Sequence, residues 1–298
     1  KSQSLRRTKT DAIDSISIAR WLMTVDYKPY PIGFYHTYSL KSLTRLRDSL
    51  VKQRSFYIVK ITNVLDHVFP EFKPFFNNRF SKTALYLLEN YGSAKSIANM
   101  NSRSYDALRS ISRGKFSMQK FLKLKELAKN TVGCDHELFT CQLNSLLSLY
   151  KQLANEVASL EGQIESLIAE IDPKTLSIPG IGPLSAAVIY AEYGDLSKFN
   201  SPAQMLSFAG LEPGYYQSGT SEHGGGMVKR GSSHLRYTLM NLCIPLIQYN
   251  MTFAEYYHKK RNEGKSHRVA CSHLVKKLIR VIFTLEKNGI DFDPTKLR

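Results

Sequence analysis

The sequence predicts a mainly α-helical fold, and three observations carry that expectation. Apolar residues recur at steps of three and four over long stretches. Serines, glycines and prolines fall where those stretches should begin and end. At 298 residues the chain can hold two or three domains, each with a real core.

The elements follow in order. Residues 10–23 (TDAIDSISIARWLM) read as a short helix that Thr10 or Asp11 can cap, with Ile13, Ile16, Ala19 and Trp21–Met23 as apolar positions. Asp11 and Asp14, three apart, share one face. Paired carboxylates can hold a divalent metal. Acidic residues in a first turn are also what the helix dipole favours, and on spacing alone that is the stronger reading. Pro29 and Pro31 close the segment. Residues 38–66 predict one long helix, with Leu43, Leu46, Leu50, Tyr57, Ile61 and Val64 on its apolar side and Arg45, Arg47, Lys52, Arg54 and Lys60 elsewhere. Residues 67–133 predict several short helices around Phe69, Phe72, Phe75, Phe76 and Phe80, punctuated by Gly92, Gly114 and Gly133.

Residues 135–171 are the most periodic. Leu146, Tyr150, Leu153, Val157, Leu160, Ile164, Leu167 and Ile171 alternate four- and three-residue steps, a heptad seam that predicts a coiled coil. Its partner is either the helix at 38–66 or a second copy of the chain, and Asp172-Pro173 ends it. The rest is again mostly helical. Ser232 or Ser233 can cap a helix reaching about 249. Another runs from Ser266 to Asn288, with Ala270, Leu274, Leu278, Val281 and Leu285 on one face and Gly289 as its stop.

Charge narrows the function. The net charge of +16 and a pI near 9.6 point to a polyanionic partner, most simply nucleic acid. Residues 1–133 hold 24 Lys and Arg against 9 Asp and Glu, residues 134–178 hold 2 against 7, and residues 179–298 hold 15 against 9. The acidic middle suits contact with protein rather than DNA. Cys134, Cys141, Cys243 and Cys271 form no metal-binding spacing, so reduced, mostly buried thiols of a cytoplasmic protein are expected. No apolar run is long enough for a membrane span, and no signal peptide is visible.

Two segments suit phosphate chemistry. Ser177–Ala187 (SIPGIGPLSAA) matches a helix-hairpin-helix pattern, in which Gly180 and Gly182 would let backbone N–H groups and a helix N-terminus grip a phosphate without reading sequence. A Gly-rich turn between packed helices is the plainer alternative. Residues 211–236 (LEPGYYQSGTSEHGGGMVKRGSSHLR) place Ser218 in a flexible turn before the glycine loop Gly224–Gly226 and the cations Lys229, Arg230 and Arg236. Glycines allow close backbone approach, cations neutralise phosphate, and an activated hydroxyl can attack it.

Together these motifs resemble the insertion-sequence transposases of the DEDD/serine type, the bridge-RNA-guided recombinases. RRTKTDAIDSISIAR (6–20) resembles the end of that family's RNase H-like α/β domain, with the last two of its four acids. LTRLRDSLVKQR (43–54) and the heptad helix resemble its coiled-coil region. IPGIGPLSAAVIYAEYGDLSKFNSPAQMLSFAGLEP (178–213) and YYQSGTSEHGGGMVKRGSSHLR (215–236) resemble its C-terminal transposase domain. The resemblance implies three parts: 1–37, the remnant of the RNase H-like domain; 38–172, helical and coiled-coil; and 173–298, the transposase domain. It implies Asp11 and Asp14 as metal-binding acids with Mg2+, and Ser218 as the nucleophile. Lys229 and Arg230 become phosphate contacts. It also implies DNA and a noncoding guide RNA as partners, and assembly of a homo-oligomer. The family's first two acids lie upstream of the segment at which this sequence begins, so the expectation is an N-terminally incomplete transposase. The alternative is a catalytically incomplete nucleic-acid-binding fragment of one.

Overall fold

A computed structural model describes residues 11–24, 34–134, 136–218 and 221–297. The chain is mainly α-helical, as the periodicity predicts. Helix α1 (Asp11–Thr24) is followed by the long α2 (Phe34–Val68). Five shorter helices come next: α3 (Phe72–Phe75), α4 (Lys82–Tyr91), α5 (Ala94–Ala98), α6 (Ser102–Ile111) and α7 (Met118–Lys129). The second long helix, α8 (Glu137–Ile171), leads through a 3-10 turn (Lys174–Ser177) into α9 (Pro183–Tyr193) and α10 (Pro202–Phe208). Strands β1 (Pro213–Ser218) and β2 (Ser221–Met227) form an antiparallel hairpin, and α11 (Ser233–Asn241), α12 (Cys243–Tyr249), α13 (Met251–Asn262) and α14 (His267–Asn288) complete the order.

Side-chain caps start many of these helices, because the first N–H groups of a helix have no internal partner. Ser81 accepts from the N–H of Ala84, Ser117 from that of Lys120, and Ser232 from that of Leu235. Asn101 and Ser104 form a reciprocal capping box. Gly289 ends α14 in the left-handed conformation, as its place in the sequence predicts.

Two hydrophobic cores form, and α2 and α8 enter both. One core joins the C-terminal half of α2 (Ile61, Leu65, Val68) to Phe69, Phe72 and α4–α7, with Leu143 and Leu147 of α8. The other joins Leu40 of α2 and Ile164 and Ile168 of α8 to α9–α14. Between the cores α2 and α8 pack along each other. The basic helix meets the acidic one, as their charges predict: Arg47 Nε lies 2.8 Å from Glu161 Oε1.

Four expectations need correction. The buried row of α8 is Leu143, Leu147, Val157, Leu160, Ile164 and Ile168, while Leu167 and Ile171 of the predicted seam are each 37% exposed. Four-residue steps dominate that row, the ridge typical of globular helix packing rather than a heptad seam. The helix expected from Ser232 to about 249 breaks at Leu242, since Pro245 has no N–H to give the carbonyl of Asn241. Gly224, Gly225 and Gly226 lie in strand β2 and not in a loop: Gly224 pairs with Tyr215, and Gly225 and Gly226 fall in the register shift before Met227 pairs with Pro213. Cys134 and Cys141 are exposed, and only Cys243 and Cys271 are buried.

Candidate nucleic-acid interface

The hairpin is set by pairing of Tyr216 with His223, Gln217 with Glu222, and Ser218 with Ser221, with a register shift between Pro213 and Tyr215. Ser218 closes β1, placed by its backbone. Gly219 and Thr220, the two-residue connection that follows, lie outside the described residues.

Past β2 the backbone is fastened to the end of α10. Val228 N–H donates to Glu212 O at 2.9 Å, Lys229 N–H to Gly210 O at 3.2 Å, and Ser232 N–H to Phe208 O at 3.2 Å. Gly231 makes the approach possible. At φ 107° a Cβ there would sit 2.1 Å from the Phe208 carbonyl oxygen, so only glycine fits. The loop therefore presents Lys229 and Arg230 to solvent from a fixed base. Arg236, expected on phosphate, is half-buried, and its Nη1 lies 3.3 Å from the carbonyl oxygens of both Ala209 and Lys229.

Beneath the loop lies a group that the sequence reading missed. The Glu192 side chain, near the end of α9, is fully buried. Arg45 of α2 grips it with both arms (Nε to Oε1 2.7 Å, Nη2 to Oε2 3.1 Å), Lys41 Nζ lies 3.2 Å from Oε2, and Ser232 Oγ donates to Oε2 at 2.8 Å. Burial alone pushes this carboxyl up. Arg45, Ser232 and Lys41 outweigh that and hold it below the ordinary carboxylate range. Ser232 also caps α11, so one carboxylate ties α2, α9 and the loop–helix junction together. Beside it His234 Nδ1 lies 3.1 Å from Asp48 Oδ2. The signal was present: Glu192 is the one charged residue in an otherwise apolar helix, PLSAAVIYAEY.

Gly180 and Gly182 lie at the other end of α9, about 15 Å along its axis from Glu192. Gly180, at φ 100°, is pressed against α12, where a Cβ would lie 2.9 Å from Pro245 O. Gly182 is exposed and caps α9. A 3-10 turn, Lys174–Ser177, stands between α8 and this hairpin. Asp11 and Asp14 occupy the first turn of α1, which packs extensively against no other element among the described residues. No group of three or more His, Cys, Asp or Glu that could hold a metal occurs among the described residues.

Two family models match the chain: "Transposase IS116/IS110/IS902 family" over residues 174–258, and a "Transposase" model of the DEDD IS110 type over residues 1–70. The two matches place separate stretches of the chain beside the IS110/IS116/IS902 transposases. Three relatives fit that placement. The IS900 42 kDa protein of Mycobacterium paratuberculosis is 27% identical over 96% of this chain and 73% of its own length. The IS110 43.6 kDa protein of Streptomyces coelicolor is 30% identical over 50% of this chain and 37% of itself. The transposase for IS1328 of Yersinia enterocolitica is 28% identical over 57% of this chain and 52% of itself. The two models meet the chain in different places: one covers α1 and α2, the other α9 through most of α13. The second therefore spans Glu192, the hairpin and the cation loop. No described helix is long and apolar enough to cross a membrane.

Proposed function

We propose that this chain is the transposase polypeptide of an insertion sequence, which cuts and rejoins DNA through Ser218. The Ser218 hydroxyl attacks a backbone phosphorus and loses its proton. The bond from phosphorus to one strand oxygen breaks, and a phosphoserine ester forms with that strand end released as a hydroxyl. Attack by a strand hydroxyl on the ester reverses the step and rejoins DNA. The observation that supports this reading is the fixed base of the loop after β2, which holds Lys229 and Arg230 at the foot of the hairpin that carries Ser218. Fixed cations beside a reacting phosphate stabilise charge without reorganising. Asp11 and Asp14 supply two carboxylates toward a divalent metal such as Mg2+. Two on one helical turn do not by themselves make a metal centre. A noncoding RNA that pairs with DNA would supply sequence choice, with the protein acting as a homo-oligomer in the cytoplasm.

A second reading has one observation in its favour. Among the described residues, the helix with Asp11 and Asp14 makes no extensive packing with the hairpin that carries Ser218, which suits a nucleic-acid-binding polypeptide without catalysis. One experiment separates them. The protein is incubated with DNA bearing the element's ends and guide RNA, and protein–DNA adducts that survive denaturing electrophoresis are counted. The transposase reading expects an adduct from the parent and none from Ser218→Ala, with nucleic-acid binding retained by both. An adduct undiminished in Ser218→Ala refutes the serine. Salt-sensitive binding with no adduct from either protein supports the second reading.

A further inference from the structure

Across the C-terminal helices, away from the hairpin, a cleft of about 460 Å³ opens between α13, α14 and the chain that follows α14. Its walls are apolar and aromatic: Tyr256 from α13, Val281 and Leu285 from α14, and Ile290 and Phe292 beyond it. Ile290 leaves 40% of its surface exposed there, so the cleft is open to a ligand. The far wall is built in place. The Ile290 N–H donates to Leu285 O at 3.1 Å, and the Phe292 N–H donates to Ser177 Oγ at 2.8 Å. The Phe292 ring stacks on the buried Phe253 at 6.3 Å between centroids.

The rim carries cations. Lys277 Nζ stands 4.9 Å from the Tyr256 ring centroid, and Lys260 Nζ reaches the same ring at 5.7 Å. Burial pushes the Lys277 ammonium below the ordinary lysine range and Lys259 adds to it, against Glu255. Arg280 is exposed on the rim and has no ion-pair partner among the described residues. Of the acids lining the cleft, Asp291 is engaged with Lys174 at 3.1 Å, and Asp293 with Thr295 and Lys296. An apolar and aromatic slot with Lys277 and Arg280 at its mouth complements a flat π-system bearing an anion.

We propose that this cleft takes one unpaired nucleotide of a bound strand, its base against Tyr256 and Phe292 and its phosphate on Lys277 and Arg280. The proposal rests on the nucleic-acid reading above and deepens it, since a helix-paired base has no free face to offer and an unpaired one does. The slot senses the base face and not its edge, so it is tolerant of base identity. Unpaired DNA and RNA share this chemistry.

The test uses the full chain and three probes of equal length and charge: oligothymidylate, oligouridylate and an abasic deoxyribose-phosphate strand. Fluorescence anisotropy at fixed salt is the readout. The base-bearing probes are expected to bind about tenfold or more tightly than the abasic strand. Whichever of the two binds more tightly names the strand, DNA or RNA. Tyr256→Phe should keep that ratio and Tyr256→Ala should collapse it, while Arg280→Glu should weaken all three probes. Should Tyr256→Ala fold poorly, Ile290→Glu charges the exposed floor and should collapse the ratio equally. Equal binding of abasic and base-bearing probes by the parent overturns the proposal and leaves nucleic-acid binding standing, as does a ratio that survives both Tyr256→Ala and Ile290→Glu. Absence of binding to every probe overturns both.

Discussion

Replacing Glu192 by Gln removes one charge at nearly constant shape from the junction of α2, α9 and the cation loop. The carboxylate accepts four polar contacts, two from Arg45 and one each from Lys41 and Ser232. Breaking a fully buried pair costs about 3–5 kcal/mol, because the remaining charge is stranded. Here the stranding is partial: the side chain of Arg45 is 46% exposed and that of Lys41 28%, so both can rehydrate. The expected loss is therefore about 2–3 kcal/mol, near that of one or two hydrogen bonds to a charged group. Ser232→Ala, which removes a helix cap, should cost about 1 kcal/mol alone. Combined with Glu192→Gln it should cost less than the sum, because both break one network. The pH dependence has a definite sign. The folded carboxyl titrates below its ordinary value near 4.5, so its stabilisation is fully present above that pH. It fades as pH falls through the folded value, and parent and Glu192→Gln should converge in acid. Urea unfolding followed by circular dichroism measures all of this. A parent–variant gap under about 0.5 kcal/mol at neutral pH, within the range of ordinary surface substitutions, would refute the argument. So would a gap that does not narrow in acid.

Three further outcomes are expected. Gly231→Ala must displace the Phe208 carbonyl or twist its own backbone. It should cost about 1–3 kcal/mol and weaken DNA binding through loss of the fixed loop, as unfolding curves and gel shifts would register. Ile164→Ala should cost about 2–5 kcal/mol and Leu167→Ala less than about 1, a contrast that thermal melts resolve and that follows from which side of α8 faces α2. Binding to duplex DNA should fall with salt at a log–log slope of about −0.9 per phosphate contacted, measured by titration at several salt concentrations. A flat dependence would argue against a polyanion partner.

Much of the fold was legible in residue order. Helix α14 could be read from Ser266 to Gly289, because its cap, its buried row and its stop are all local signals. The pairing of α2 with α8 was legible from opposite charge beside apolar rows. The buried side of α8 was legible only in part: Val157, Leu160 and Ile164 of the expected row are buried, whereas Leu143, Leu147 and Ile168 stood outside it. Two apolar rows run along that helix, one through Leu146, Leu153 and Leu167 and one through Leu143, Leu147 and Ile168, and the choice depends on where two distant cores lie. At the site, Lys229 and Arg230 were legible as exposed cations. The commitment of Arg236 to carbonyls of Ala209 and Lys229 was not, since those partners meet it only through the close contact at Gly231. Glu192 stood out as a lone acid in an apolar helix, yet Arg45, its partner 147 residues away, could come only from the fold.

Each of the two long helices has 35 residues and runs through both cores. A helix of that length extends about 50 Å, the rise of roughly 15 base pairs of duplex. Neither core can shift along that axis without dragging the other, so the separation between them works as a molecular ruler. Grooves or loops borne at its two ends would meet a straight duplex at positions more than one helical turn apart, and an insertion or deletion in the middle of α2 and α8 would reset the interval in steps of about 1.5 Å per residue.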